Sequence, residues 1–233
     1  MTVRGEGQDV LLLHGYKSSA KSFYYQINAL AKAGYRAVAP DFPGFGASAA
    51  LTSVWSVGDY AVWLEKFVSA AGLNNPFVLA HSFGARVAFK YLSTHPNGAK
   101  KLLITGGAGV VKPRSPQYMR WVTAYRRIKK LFPRFAEKHF GSDEYRTLSP
   151  IEKESYKLIV NEDLTACASS ISIPTLLIYG RDDKTTPPEE EGRTFNACIQ
   201  GSALEIVEGG HFCFCEKADE FNELMLSFFG NNG

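Results

Sequence analysis

Short apolar runs alternate with longer amphipathic segments along most of the chain, the pattern of a parallel sheet covered on its faces by helices. The runs are DVLLL (9–13), RAVA (36–39), FVLA (77–80), LLIT (102–105), TLLIY (175–179) and ALEIV (203–207). Several are continuously apolar, as strands buried on both faces should be. MTVR at the start is expected to add an antiparallel edge strand. Between the runs the spacing becomes helical. Tyr60, Trp63, Leu64, Phe67 and Ala71 fall on one face of a segment that Ser56 can cap and Gly72 can stop. Gly84, Val87, Ala88, Tyr91 and His95 mark another helix face with Pro96 just beyond. Phe221, Leu224, Met225, Phe228 and Phe229 predict a last helix packed on the sheet.

One interval breaks the alternation. Residues 108–168 separate LLIT from TLLIY by far more than a crossover helix needs, and glycine or proline marks both ends. The expected organisation is a core built from residues 1–107 and 169–233, with 108–168 inserted as a helical cap. That cap holds 12 Lys and Arg against 7 Asp and Glu, leaving 14 against 16 elsewhere from totals of 26 and 23. Arg126, Arg127, Lys129 and Lys130 form a charge run of the kind usually found on a solvated helix face; its alternative use is to greet an anionic substrate. Tyr118, Trp121 and Tyr125 recur at three- and four-residue spacing. They are candidates to line a substrate pocket, or the packing stripe of a lid helix.

Composition narrows the classes. A chain of 233 residues can bury a core without covalent staples. Hydrophobic and charged fractions of 45% and 21% argue against disorder and fibres, and a net charge of +3 gives no overall signal for nucleic acid. The start shows no basic segment followed by an apolar core and a cleavage site, and no apolar run approaches the ~20 residues of a membrane span, so a cytoplasmic protein without a span is expected. Cys167, Cys198, Cys213 and Cys215 lack disulfide-framework spacing. His211-x-Cys213-x-Cys215 has no second close ligand pair, so buried thiols rather than a metal site are expected there.

The candidate chemistry starts at Ala80-His81-Ser82-Phe83-Gly84, where an apolar run turns abruptly into a helix. Such a corner exposes its central residue and demands small neighbours. A serine hydroxyl becomes a useful nucleophile only when a base takes its proton. Of five histidines, His81 should project away from its neighbour, His95 lies at a helix end, and His139 lies in the cap. His14 follows the first buried run. His211 is the best candidate base, because it follows ALEIV and a flexible Glu208-Gly209-Gly210, on a loop at a strand's carboxyl end. For the orienting acid, TLLIY runs into Gly180-Arg181-Asp182-Asp183, and spacing alone admits either aspartate.

In these motifs the chain resembles the α/β-hydrolase fold family, whose nucleophile elbow is Gly-x-Ser-x-Gly, with Ala80 here in place of the first glycine. The resemblance implies an α/β-hydrolase fold and the chain order Ser82, Asp183, His211. Its glycine-to-aspartate-to-proline spacing, ending at Pro187, matches Asp183. Two backbone N–H groups should receive the negative charge that attack builds on a carbonyl oxygen: Phe83, at the start of the helix, and Tyr16, to which the resemblance points as the residue after His14-Gly15. His14 then becomes a loop organiser. Asp41 to Ser48 matches a familiar loop of the family with no catalytic role assigned. The expected function is a cofactor-free serine hydrolase of small-molecule carboxylic esters, working through an acyl-enzyme. Activity should rise as an imidazole base loses its proton, at about pH 6 to 7. The same three residues also serve C–C bond hydrolysis, amide cleavage or peracid formation, and a slow-turnover ligand receptor would retain them.

Overall fold

The computed structural model describes residues 1–111, 120, 123 and 147–230. The apolar runs pair edge to edge as β2 (Gln8–Leu13), β3 (Tyr35–Ala39), β4 (Phe77–His81), β5 (Lys101–Thr105), β6 (Thr175–Gly180) and β7 (Ala203–Val207), all parallel. The opening segment, β1 (Thr2–Arg4), joins the edge antiparallel to β3, giving one seven-stranded sheet in the order β1-β3-β2-β4-β5-β6-β7. β4 is buried along its whole length, with β2 and β5 as its neighbours. At the far edge β7 alternates between exposed and partly buried positions, so Leu204, Ile206 and Val207 of its ALEIV run turn toward the protein while Ala203 and Glu205 are exposed.

Helices cover both faces. α1 (Tyr24–Lys32) and the last helix, α7 (Ala218–Gly230), pack on one side through Ile27, Leu30, Phe221, Met225 and Phe229. α2 (Val57–Ala70), α3 (Phe83–Thr94), α5 (Thr165–Ser169) and α6 (Arg193–Cys198) pack on the other, around Leu64, Val87, Phe89 and Phe195. Ser56 caps α2 with a reciprocal bond to Asp59, and Ser149 caps α4 (Pro150–Asn161) with Glu152 in the same way.

Of the interval expected to form a cap, α4 and α5 are described. Tyr118, Trp121, Tyr125, His139 and the basic run at 126–130 lie outside the described residues. No helix among the described residues is long and apolar enough to cross a membrane, and no group of metal-ligating side chains is assembled among them. Cys213 is buried against the Thr105 hydroxyl, and burial pushes its thiol up to about 11; Cys215 donates to the Ser22 carbonyl.

Candidate active site

β4 and α3 are joined by a single residue, Ser82, at φ 51° and ψ −107°. Few L side chains adopt this backbone, and holding one there costs about 1–3 kcal/mol. The surroundings over-determine it. Ser82 N–H donates to the Thr105 carbonyl at 3.1 Å, and its own carbonyl accepts from Ala85 N–H at 3.1 Å. Glycine is required two residues on, because a Cβ at Gly84 would lie 2.1 Å from the Leu13 carbonyl oxygen. The methyl of Ala80 is fully buried in the core. The Ser82 side chain does not cap α3, so its hydroxyl is not consumed as a helix-end acceptor.

The loops after β6 and β7 meet beside this corner. His211 Nδ1–H donates to Asp183 Oδ2 at 2.8 Å. Asp183 Oδ1 accepts the N–H groups of Thr185 and Thr186 at 2.8 and 2.9 Å, and Oδ2 also receives the Thr186 hydroxyl at 2.7 Å. Asp182, the neighbour that spacing left open, is exposed. Gly106, at the end of β5, makes room for the pair, since a Cβ there would sit 3.1 Å from His211 Nδ1. Burial pushes the Asp183 carboxyl up, but the His211 and Thr186 donors outweigh it and hold the group below its ordinary 3.8.

Asp41 behaves alike. Burial raises it, while the N–H groups of Ala20 and Ala47, at 2.7 and 3.0 Å, bring it below the ordinary value. Both carboxylates are depressed, so their stabilising contribution is complete above the unfolded-state value near 3.8 and disappears as pH falls through the lower folded-state values. Urea midpoints should therefore hold from pH 7 to about 5 and fall steeply below about pH 4. Asp41→Asn should flatten that fall; an unchanged acid limb in this variant contradicts the assignment.

Ser82, His211, Tyr16 and Phe83 line one cavity of about 400 Å³. The hydrogen bond from Ser82 Oγ to the imidazole is not formed in this structure; such contacts often tighten only around bound substrate. Neither Tyr16 N–H nor Phe83 N–H donates to an acceptor among the described residues. Phe83 N–H also lies at the positive end of α3. His14 is buried, donating from Nδ1 to the Gly15 carbonyl at 2.7 Å and accepting Phe42 N–H on Nε2 at 3.0 Å. It thus ties the Tyr16 loop to the Asp41–Ser48 loop. The opposite wall comes from α4, through Tyr156, Ile159 and Val160. Arg86 of α3 fastens that wall, donating from Nη1 to the carbonyls of Ile159 and Glu162 at 2.8 and 3.1 Å.

A family model described as the alpha/beta hydrolase fold matches residues 10–163. The chain belongs to the α/β-hydrolase family. Among its relatives is a 2-hydroxy-6-oxononadienedioate/2-hydroxy-6-oxononatrienedioate hydrolase of Klebsiella pneumoniae, 29% identical, the alignment covering 96% of this chain and 88% of the relative. An esterase from Exiguobacterium antarcticum superposes with a TM-score of 0.80 at 26% identity, covering 99% and 94% of the two chains. A bromoperoxidase from Bacillus anthracis does so with the same TM-score at 24% identity and the same coverage, which adds support for the fold alone. The family match ends before Asp183 and His211, so the placing of these two in this α/β-hydrolase rests on their geometry. Sequence reasoning missed Thr186, whose hydroxyl meets Asp183, the Gly106 carbonyl and His211 Nδ1 within 3.2 Å. An Asp with threonines two and three residues on, Asp183-Lys184-Thr185-Thr186, is the available signal, since an aspartate commonly accepts the N–H groups two and three residues on.

Proposed function

We propose that this α/β-hydrolase is a serine hydrolase cleaving carboxylic esters of small molecules through an acyl-enzyme. The observation that carries the reading is a strained, uncapped Ser82 sharing one cavity wall with a His211 whose far nitrogen is bonded to Asp183. In the first half-reaction, Ser82 Oγ attacks the ester carbonyl as its proton passes to His211 Nε2. The oxygen takes up negative charge facing Tyr16 and Phe83 N–H, each such donor lowering the barrier by about 3–4 kcal/mol. The imidazolium returns its proton to the departing alcohol. Water, deprotonated by the same imidazole, then attacks the acyl carbon, and the acid leaves as the imidazolium returns that proton to Ser82 Oγ. Asp183 stays ionised and stabilises the imidazolium. No cofactor enters any step.

The four free thiols of Cys167, Cys198, Cys213 and Cys215 support a reducing, cytoplasmic setting. The esterase of Exiguobacterium antarcticum supports ester chemistry. C–C hydrolysis with the same residues is the second reading, favoured by the Klebsiella relative, whose name describes a keto dicarboxylate substrate. Incubation with a fluorophosphonate probe, alongside assays on short p-nitrophenyl esters, tests the proposal. Stoichiometric labelling on the peptide containing Ser82 together with ester turnover is expected. Labelling without turnover would replace the hydrolase by a receptor, and the absence of both labelling and turnover would overturn the proposal.

A further inference from the structure

The reaction just proposed gives no task to His81, yet this residue occupies the centre of the site. It ends β4 directly before Ser82, is almost completely buried, and lines the same cavity. Its Nε2 lies 3.0 Å from the backbone carbonyl of His211, 130 positions away in the chain. A carbonyl only accepts, so Nε2 carries the proton and Nδ1 is bare. That Nδ1 is buried with no hydrogen-bond partner, against the backbone of Gly15, where an added Cβ would come within 2.8 Å. The ring packs on those of His211, Phe212 and Phe214, with centroids 4.7, 5.1 and 4.7 Å apart.

For folding alone this is a poor choice of side chain. A phenylalanine would make the same ring contacts and remove the unsatisfied Nδ1, and the one bond it would forfeit is the donation to the His211 carbonyl. A local rule broken inside a site points to function, and the hydrogen bond indicates which. His211 follows Gly209 and Gly210, and Gly209 stands at φ 112°, so the backbone that carries the imidazole has little stiffness of its own. Asp183 holds the ring at Nδ1, bonds to Asp182, Cys213 and Glu216 hold Gly209 and Gly210, and the carbonyl of His211 itself is held by His81.

We propose that His81 is a positioning residue: its Nε2–H pins the carbonyl of His211 and thereby sets the imidazole between Asp183 and Ser82. This rests on the assignment of Ser82, Asp183 and His211 made above. Burial, reinforced by the nearby His211, pushes the His81 pKa down to about 3, so the ring stays neutral and keeps its donor role across the working range.

The test compares His81→Phe, His81→Gln and His81→Asn by steady-state hydrolysis of p-nitrophenyl acetate, with thermal melting of each and Ser82→Ala as control. The Gln amide nitrogen reaches the place of Nε2; that of Asn stops short of it. His81→Phe is expected to lower kcat about 10- to 100-fold, the cost of misplacing a catalytic group by about 1 Å, with KM within about twofold. His81→Asn should match it, His81→Gln should recover most of the loss, and the melting temperature of His81→Phe should stay close to that of the parent, the lost bond to the His211 carbonyl being offset by removal of the unpaired Nδ1. Equal kcat in the Gln and Asn variants overturns the proposal, as does wild-type kcat in the Phe variant or a kcat loss that tracks a drop in melting temperature. If Ser82→Ala itself keeps full activity, the failure lies with the underlying assignment of the nucleophile.

Discussion

Ser82→Ala is expected to lower kcat on p-nitrophenyl esters by a factor on the order of 10⁴ to 10⁶, with thermal stability close to that of the parent protein. At ~1.4 kcal/mol per factor of ten, that is roughly 5–8 kcal/mol of transition-state stabilisation. The size follows from the covalent route. Without the hydroxyl, no acyl-enzyme forms, and His211 can only activate water against a carbonyl still held by the two N–H groups. Stability should be spared for a structural reason: Ser82 Oγ does not cap α3, and the bonds that fix the corner are made by its backbone N–H and carbonyl, which alanine keeps. Alanine also bears the same left-handed φ at comparable cost. A purified variant with near-parental turnover contradicts the role given to this serine.

Asp183→Asn should cost about 10⁴-fold in kcat, through the tautomer of His211 rather than through the fold. Asp183 Oδ1 accepts two backbone N–H groups, from Thr185 and Thr186. That position must stay an oxygen, so the amide nitrogen of the asparagine is driven to the place of Oδ2. There it points its hydrogens at His211 Nδ1, which now has to accept. The imidazole proton moves to Nε2, and the nitrogen that should take the Ser82 proton is occupied. The folded variant should bind substrate with little change in KM. A loss of less than about tenfold would show that Asp183 does not set the tautomer.

The strands were readable because five of them are apolar enough for both faces of a buried sheet, and the antiparallel edge strand at residues 2–4 also formed as expected. β7 differs, since Ala203 and Glu205 face solvent at the sheet edge and only its alternate positions pack inward. Ser82, Asp183 and His211 stood out in the sequence for a related reason: each follows its own apolar run at a carboxyl end, where a parallel sheet gathers its loops. Asp183 was separated from Asp182 by the family spacing, and the structure separates them by burial. His81, Thr186 and Gly106 could not be found that way. His81 matters through a carbonyl 130 positions distant, and Thr186 through the Gly106 carbonyl across 80 positions. Gly106 matters through the side chain it lacks. These are contacts between loops, and one-dimensional periodicity carries no trace of them. The aromatic stripe at Tyr118, Trp121 and Tyr125 belongs to residues whose positions are not described, so the pocket proposed for it stands on spacing alone.

The most direct test is a crystal structure of the protein after reaction with a small alkyl fluorophosphonate, which traps the tetrahedral geometry of attack. The account predicts phosphorus bonded to Ser82 Oγ and the phosphoryl oxygen about 2.7–3.1 Å from the N–H groups of Tyr16 and Phe83. His211 Nε2 should face the oxygen bonded to phosphorus, with Nδ1 still on Asp183. An adduct on another residue, or an imidazole turned away from Ser82 in the adduct, would contradict it.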